Sequence, residues 1–145
     1  MPTGIYLDNN VGLKIATVDL SSYVTSITLT QTFDEVETTS MGATAHTFAK
    51  GLESSTLQVD FLNDWAAAKV QATLQAAYGT SVTALIVPDK GTGSTTISAT
   101  NPLYTVSILV NNLTPVGTGG PEDFARSSMT FTCTSAVAYA TTGTF

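Results

Sequence analysis

Catalysis needs side chains that attack, donate or accept, and this chain carries few of them. Its only histidine is His46 and its only cysteine is Cys133. A nucleophile–base–acid triad needs a histidine in most of its forms. His46 stands in a Thr/Ala-rich stretch and reads as a solvated or interfacial residue. One cysteine and one histidine cannot complete a tetrahedral metal set, and Asp8-Asn9-Asn10 lacks the rest of a calcium loop. Cys133 shares an alternating face with Met129 and Phe131, which makes it a small buried hydrophobe rather than a reactive thiol. Asp34, Glu35 and Glu37 could do acid–base work only if their surroundings separated their pKa values; here they read as a solvated acidic turn. Gly91-Thr92-Gly93-Ser94 and Gly117-Thr118-Gly119-Gly120 lack the lysine and the strand-to-helix setting of a phosphate cradle. Asn112-Leu113-Thr114 matches a glycosylation acceptor, which matters only in a secreted chain. The expectation is a protein with no catalytic residue, no metal and no cofactor.

The elements around these residues have an unusual composition. Of 145 residues, 43% are hydrophobic and only 11% charged, against about 25% charged in an ordinary globular protein. Threonine, serine, glycine and asparagine supply the polar surface, and threonine suits a half-solvated pleated sheet. Sparse charge leaves little repulsion between copies. Five basic against eleven acidic residues, net -6, argue against a groove that grips phosphates. Met1-Pro2-Thr3-Gly4 opens with neither a basic stretch nor an apolar core region, so no secretory signal is expected, and no apolar run reaches membrane-spanning length. A lone cysteine fits a reducing compartment. The expectation is a single domain over residues 1–145, soluble when made in the cytosol.

Along the chain, an N-terminal arm containing Tyr6 and Leu7 precedes a strand over 11–18. A second strand runs from Tyr23 to Phe33, with Tyr23, Ile27, Leu29 and Phe33 on the core side and Ser26, Thr28, Thr30 and Thr32 opposite. The segment 34–50 reads as a long polar loop or extended hairpin, a kind of excursion more often functional than accidental. Leu57, Val59 and Phe61 alternate with Thr56, Gln58 and Asp60 in another strand. An alanine-rich helix is expected at about 64–78, capped by Asn63 or Asp64 and stopped by Gly79, with Lys69, Gln71, Thr73 and Gln75 turned away from the sheet. Further strands follow at Val82–Val87, at Tyr104–Val110, and through Met129, Phe131 and Cys133. The segment 136–145 reads as a tail that meets a neighbouring copy. The expected fold is mainly β, a sandwich or barrel with one flanking helix.

Several short segments, taken in order, resemble the tail tube proteins of long-tailed bacteriophages. They are Asp19-Leu20-Ser21-Ser22-Tyr23-Val24-Thr25-Ser26 leading into a strand, Asp34-Glu35-Val36-Glu37-Thr38-Thr39, and Phe48-Ala49-Lys50-Gly51-Leu52. The strand Leu57-Gln58-Val59-Asp60-Phe61 before an alanine helix, Asn101-Pro102-Leu103-Tyr104, and Phe131 in the final strand complete the set. The likeness spans roughly residues 15 to 134 and rests on the order of these segments, none being a chemical signature.

The resemblance implies a virion structural subunit, assembled into stacked hexameric rings around a channel. Its inner strands would join into one β-barrel through which DNA and the tape measure protein pass, and tail terminator and distal tail proteins would be further partners. Thr28, Thr30 and Thr32, with some of Asp34, Glu35 and Glu37, are expected near the channel, the alternative being an acidic turn on the outer or stacking surface of the ring. Thr38, Met41, His46, Phe48 and Lys50 on the long excursion, with Tyr6 and Phe145 at the termini, are the expected contacts between subunits or rings. The competing readings are a capsid-decorating or adhesion-type binding module, and a ring protein of a tail terminator or secretion tube.

Overall fold

The computed structural model describes residues 10–117 and 120–145. Among these, ten strands and one α-helix follow from the alternation of apolar and hydroxyl side chains. The strands are β1 (Gly12–Ile15), β2 (Val18–Asp19), β3 (Val24–Thr30), β4 (Phe33–Glu37), β5 (Phe48–Glu53), β6 (Thr56–Leu62), β7 (Ser81–Val87), β8 (Leu103–Leu109), β9 (Arg126–Cys133) and β10 (Ala138–Ala140). Helix α1 (Val70–Ala77) connects β6 to β7. Eight strands form one antiparallel sheet in the order β2-β1-β7-β8-β9-β6-β3, with β10 added to β8, while β4 and β5 make a separate two-stranded sheet. The fold is mainly β and sandwich-like with a single flanking helix, as expected.

The large sheet bends at β8. Leu103 to Thr105 pair with β10, and only Ile108 and Leu109 pair with β9, through Cys133 and Thr132. On either side of that narrow join the inward side chains lie in cross-strand rows. One half stacks Leu29, Leu57 and Phe131 in one row and Ile27, Val59 and Met129 in the next. The other half stacks Ile15, Ala84 and Val106. Both halves, with Val70, Leu74 and Ala77 of α1, share one core. Each large side chain fully buried there contributes roughly 1.5–3 kcal/mol.

The helix starts later than its alanine content predicts. Residues 64–69 form turns: the Asp64 carboxylate accepts from the Ala66 amide, the Asp64 carbonyl accepts from the Gln71 amide, and Ala68 has φ 59°. Asn63 is engaged elsewhere, its Oδ1 accepting from the Gln71 side chain and from the Ser127 hydroxyl, both at 2.7 Å. Neither residue caps the helix. Gln71 and Thr73, expected to face away from the sheet, are buried. Gly79 ends the helix as expected, with φ 80°.

The strand expected over 11–18 is broken. Ala16 and Thr17 both take positive φ, 51° and 69°, and make a two-residue turn between Ile15 and its partner Val18. Hairpin turns of this length need that handedness and are ordinarily built from Asn-Gly. A residue with a Cβ pays roughly 1–2 kcal/mol to adopt it. Ala16→Asn combined with Thr17→Gly is therefore expected to stabilise the chain by about 1 kcal/mol, the extra chain entropy of the new glycine offsetting part of the relief. A thermal midpoint raised by a few degrees is the signature; an unchanged or lower one means the turn is not strained.

Candidate functional site

Facing away from the core, β3, β6 and β9 present three cross-strand rows. They are Thr30, Thr56 and Thr132; Thr28, Gln58 and Thr130; and Ser26, Asp60 and Ser128. Eight of the nine are exposed and Asp60 is half-buried. The face thus offers hydroxyls, one amide and one carboxylate, with no basic and no large apolar group. It ends at β3, which pairs with β6 on one edge and with no strand on the other among the described residues. Unpaired edges of this length invite another chain.

From the end of β3 the chain leaves the sheet. Phe33, expected in the core, instead opens β4 and is half exposed, and the supposed acidic turn at 34–37 is strand. The step is fixed by the Ser54 amide donating to the Thr32 carbonyl and by the Thr32 hydroxyl donating to the Ser54 carbonyl. The ladder of β4 with β5 pairs Glu35 with Lys50, Val36 with Ala49 and Glu37 with Phe48, and carries an irregularity between Phe33 and Glu35. There Gly51 passes so close to Asp34 that a Cβ would stand 2.6 Å from the Asp34 carbonyl oxygen. Only glycine fits.

This hairpin packs little of its surface on its own body. Phe33, Val36 and Phe48 are 50%, 52% and 57% exposed, Leu52 is 81% exposed, and Met41 at the tip is fully so. Lys50 Nζ sits 5.5 Å from the centre of the Phe33 ring. At the tip Thr38 and Thr47 share a hydroxyl–hydroxyl contact of 3.0 Å, and His46 Nδ1 meets Glu37 Oε1 at 2.6 Å. Exposed pairs of that kind are worth no more than about 1 kcal/mol.

The residues singled out in the sequence are thereby sorted into groups. Thr28 and Thr30 lie on the hydroxyl face, Thr32 at the joint, and Asp34, Glu35 and Glu37 on the hairpin rather than among the hydroxyls. Thr38, Met41, His46, Phe48 and Lys50 share the hairpin. Tyr6 lies outside the described residues. Phe145 is half-buried against its own chain, over Gly12 and with Lys14 Nζ 4.8 Å from its ring centre, and the segment expected to meet a neighbouring copy contributes β10 to its own sheet. Cys133 is half-buried at the rim of the core, where burial and the nearby Glu53 carboxylate push its thiol pKa up.

Glu53, at the hairpin's base, escaped the sequence reading because one of its partners, Val137, is 84 residues away. Its Oε1 accepts from the Ser55 hydroxyl at 2.8 Å and from the Val137 amide at 3.1 Å, and these bonds hold the carboxyl below its ordinary pKa. Burial pushes the Asp19 carboxyl up, but Lys90 at 2.7 Å and the Ser21 hydroxyl and amide outweigh it and hold it low. A depressed carboxyl adds stability that is complete above its unfolded pKa, about 4, and is lost as pH falls through the lower folded value. The thermal midpoint should be level from pH 7 to 5 and drop below pH 4. In Glu53→Gln that drop should be shallower; an identical acid slope in the variant would remove Glu53 from this account.

Among the described residues no three His, Cys, Asp or Glu side chains are grouped to hold a metal, and no helix is long and apolar enough to cross a membrane. No protein-family model and no curated protein matches the chain.

Proposed function

We propose that this chain is the repeating structural subunit of a bacteriophage tail tube, closing into stacked rings, hexameric by the resemblance, around a channel for DNA. The observation that carries the reading is one continuous, charge-poor hydroxyl face that ends at β3, a strand with one edge unpaired among the described residues, and adjoins a hairpin displaying apolar side chains. Joining β3 to a neighbouring copy turns an aggregation hazard into a closed barrel without edges. A channel wall of Thr28, Thr30, Thr56, Gln58, Thr130 and Thr132 offers DNA no cation to hold, and Asp60 with the acidic hairpin residues repels phosphate. The hairpin, through Phe48 and its neighbours, reaches the next ring; a head-to-tail contact that does not close on itself builds a filament.

Negative-stain electron microscopy of the purified protein across a concentration series, alongside sizing, tests this. Hollow tubes or stacked rings are the expected objects. A chain that stays monomeric at every concentration overturns the reading and favours a binding module.

A further inference from the structure

The hairpin is the β3–β6 ladder carried past the sheet. Thr30 pairs with Thr56, Thr32 bonds to Ser54 and Phe33 pairs with Glu53. One two-stranded ribbon therefore leaves the sandwich and runs on to Thr38 and Thr47, roughly 25 Å beyond Thr30. Phe33, Glu35 and Glu37 alternate onto one side of it, together with the ladder partners Lys50 and Phe48. The opposite end of the same ladder is at Leu62, paired with Arg126. Two loops are pinned there: the Asn63 amide donates to the Ala125 carbonyl at 2.9 Å, and the Arg126 amide donates to the Gly117 carbonyl at 3.3 Å. Trp65, Val116 and Phe124 stand within two residues of those bonds and are 55%, 73% and 76% exposed.

We infer that this end of the sandwich receives the hairpin of a second copy stacked end-on, with Trp65, Val116 and Phe124 covered by the side that carries Phe33 and Phe48. The inference rests on the hairpin-to-next-ring contact proposed above and names its other half. The two apolar surfaces lie at opposite ends of one ladder, so a copy displaced along its own strands brings one onto the other. Area supports the match. The five exposed hairpin side chains and these three hold on the order of 700 Å² of free apolar surface. A contact with the usual apolar share that covered all eight would bury about 1,200 Å², the low end of stable interfaces. Hairpin against hairpin is the poorer pairing: it sets Glu35 and Glu37 of one copy against those of the other and leaves Trp65 and Phe124 in water. Charge at the receiving end is mixed, Asp64, Glu122 and Asp123 against Lys69 and Arg126, so the apolar side chains carry the contact.

Sedimentation and sizing of Phe48→Ala, of the double variant Trp65→Ala/Phe124→Ala and of their equimolar mixture test it. Each variant alone should need at least about 30-fold more protein than the parent to assemble. The mixture, held below both thresholds, should form pairs of units and nothing longer, because each pair joins an intact hairpin to an intact receiving end and exposes only disabled surfaces. This holds whether the unit is one chain or one ring. Phe124→Ala alone, at the most exposed of the three positions, serves if the double variant unfolds. Parent-like assembly of the receiving-end variants overturns the inference, and so does a mixture no larger than its components. If the parent forms tubes and the receiving-end variants do too, this inference alone falls. If the parent forms open chains without a hollow core and the mixing pattern holds, only the tube reading falls. A parent that stays monomeric overturns both.

Discussion

If the chain assembles as proposed, Phe48→Ala is expected to raise the concentration at which tubes form by roughly 30- to 1,000-fold while leaving the subunit folded. A central aromatic anchor at a protein interface is worth about 2–4 kcal/mol, and each 1.4 kcal/mol is about tenfold in an association constant. Phe48 is more than half exposed in the isolated chain, and its ring neighbour is His46 at 6.4 Å between centroids, so the monomer loses little when the ring is removed. Sedimentation of assembled material against total protein gives the critical concentration, and thermal unfolding of the unassembled fraction gives the control. Unchanged assembly would move the ring-to-ring contact off this hairpin. A collapse of the thermal midpoint would mean that Phe48 holds the subunit itself together.

Phe131→Ala should cost about 3–5 kcal/mol of folding free energy, a large share of the roughly 5–15 kcal/mol that a domain possesses. Phe131 is fully buried and closes the row begun by Leu29 and Leu57, beside the only two residue pairs that join β8 to β9. Urea unfolding should show a lower midpoint with an unchanged slope. The neighbouring Thr132→Ala, on the hydroxyl face, should stay within about 0.5 kcal/mol of the parent. A loss below about 1 kcal/mol at Phe131 would show that the two halves of the sheet do not depend on this packing.

Strands with one wet face announced themselves. In β6 from Thr56 to Phe61 and in β9 from Ser128 to Cys133 apolar and polar residues alternate without a break, and the buried rows Leu57–Phe131 and Val59–Met129 follow from it. The hydroxyl face was visible only strand by strand. That Thr28, Gln58 and Thr130 form one row depends on register between segments far apart in the chain, which periodicity does not encode. The helix boundary was misplaced because Trp65 to Lys69 has good helix formers but is committed by tertiary bonds: Asp64 and Asn63 both bind Gln71, and Asn63 also binds Ser127. The Ala16–Thr17 turn left no mark because neither residue is a turn former. Phe33 alternates correctly with Leu29, yet the pair of bonds between Thr32 and Ser54, one backbone and one from the Thr32 hydroxyl, diverts it to another sheet.

The order of strands also dictates a timetable. β6 receives its first neighbour, β3, early, but its second, β9, is among the last segments to be translated. At about 5–20 residues per second, roughly 4–14 s pass between completion of β6 and completion of β9. Throughout that interval Leu57, Val59 and Phe61 wait on a nascent chain with an unpaired strand beside them. Soluble yield is therefore expected to depend on how long that strand face stays uncovered, a duration that codon choice between positions 63 and 125 alters without changing a single amino acid.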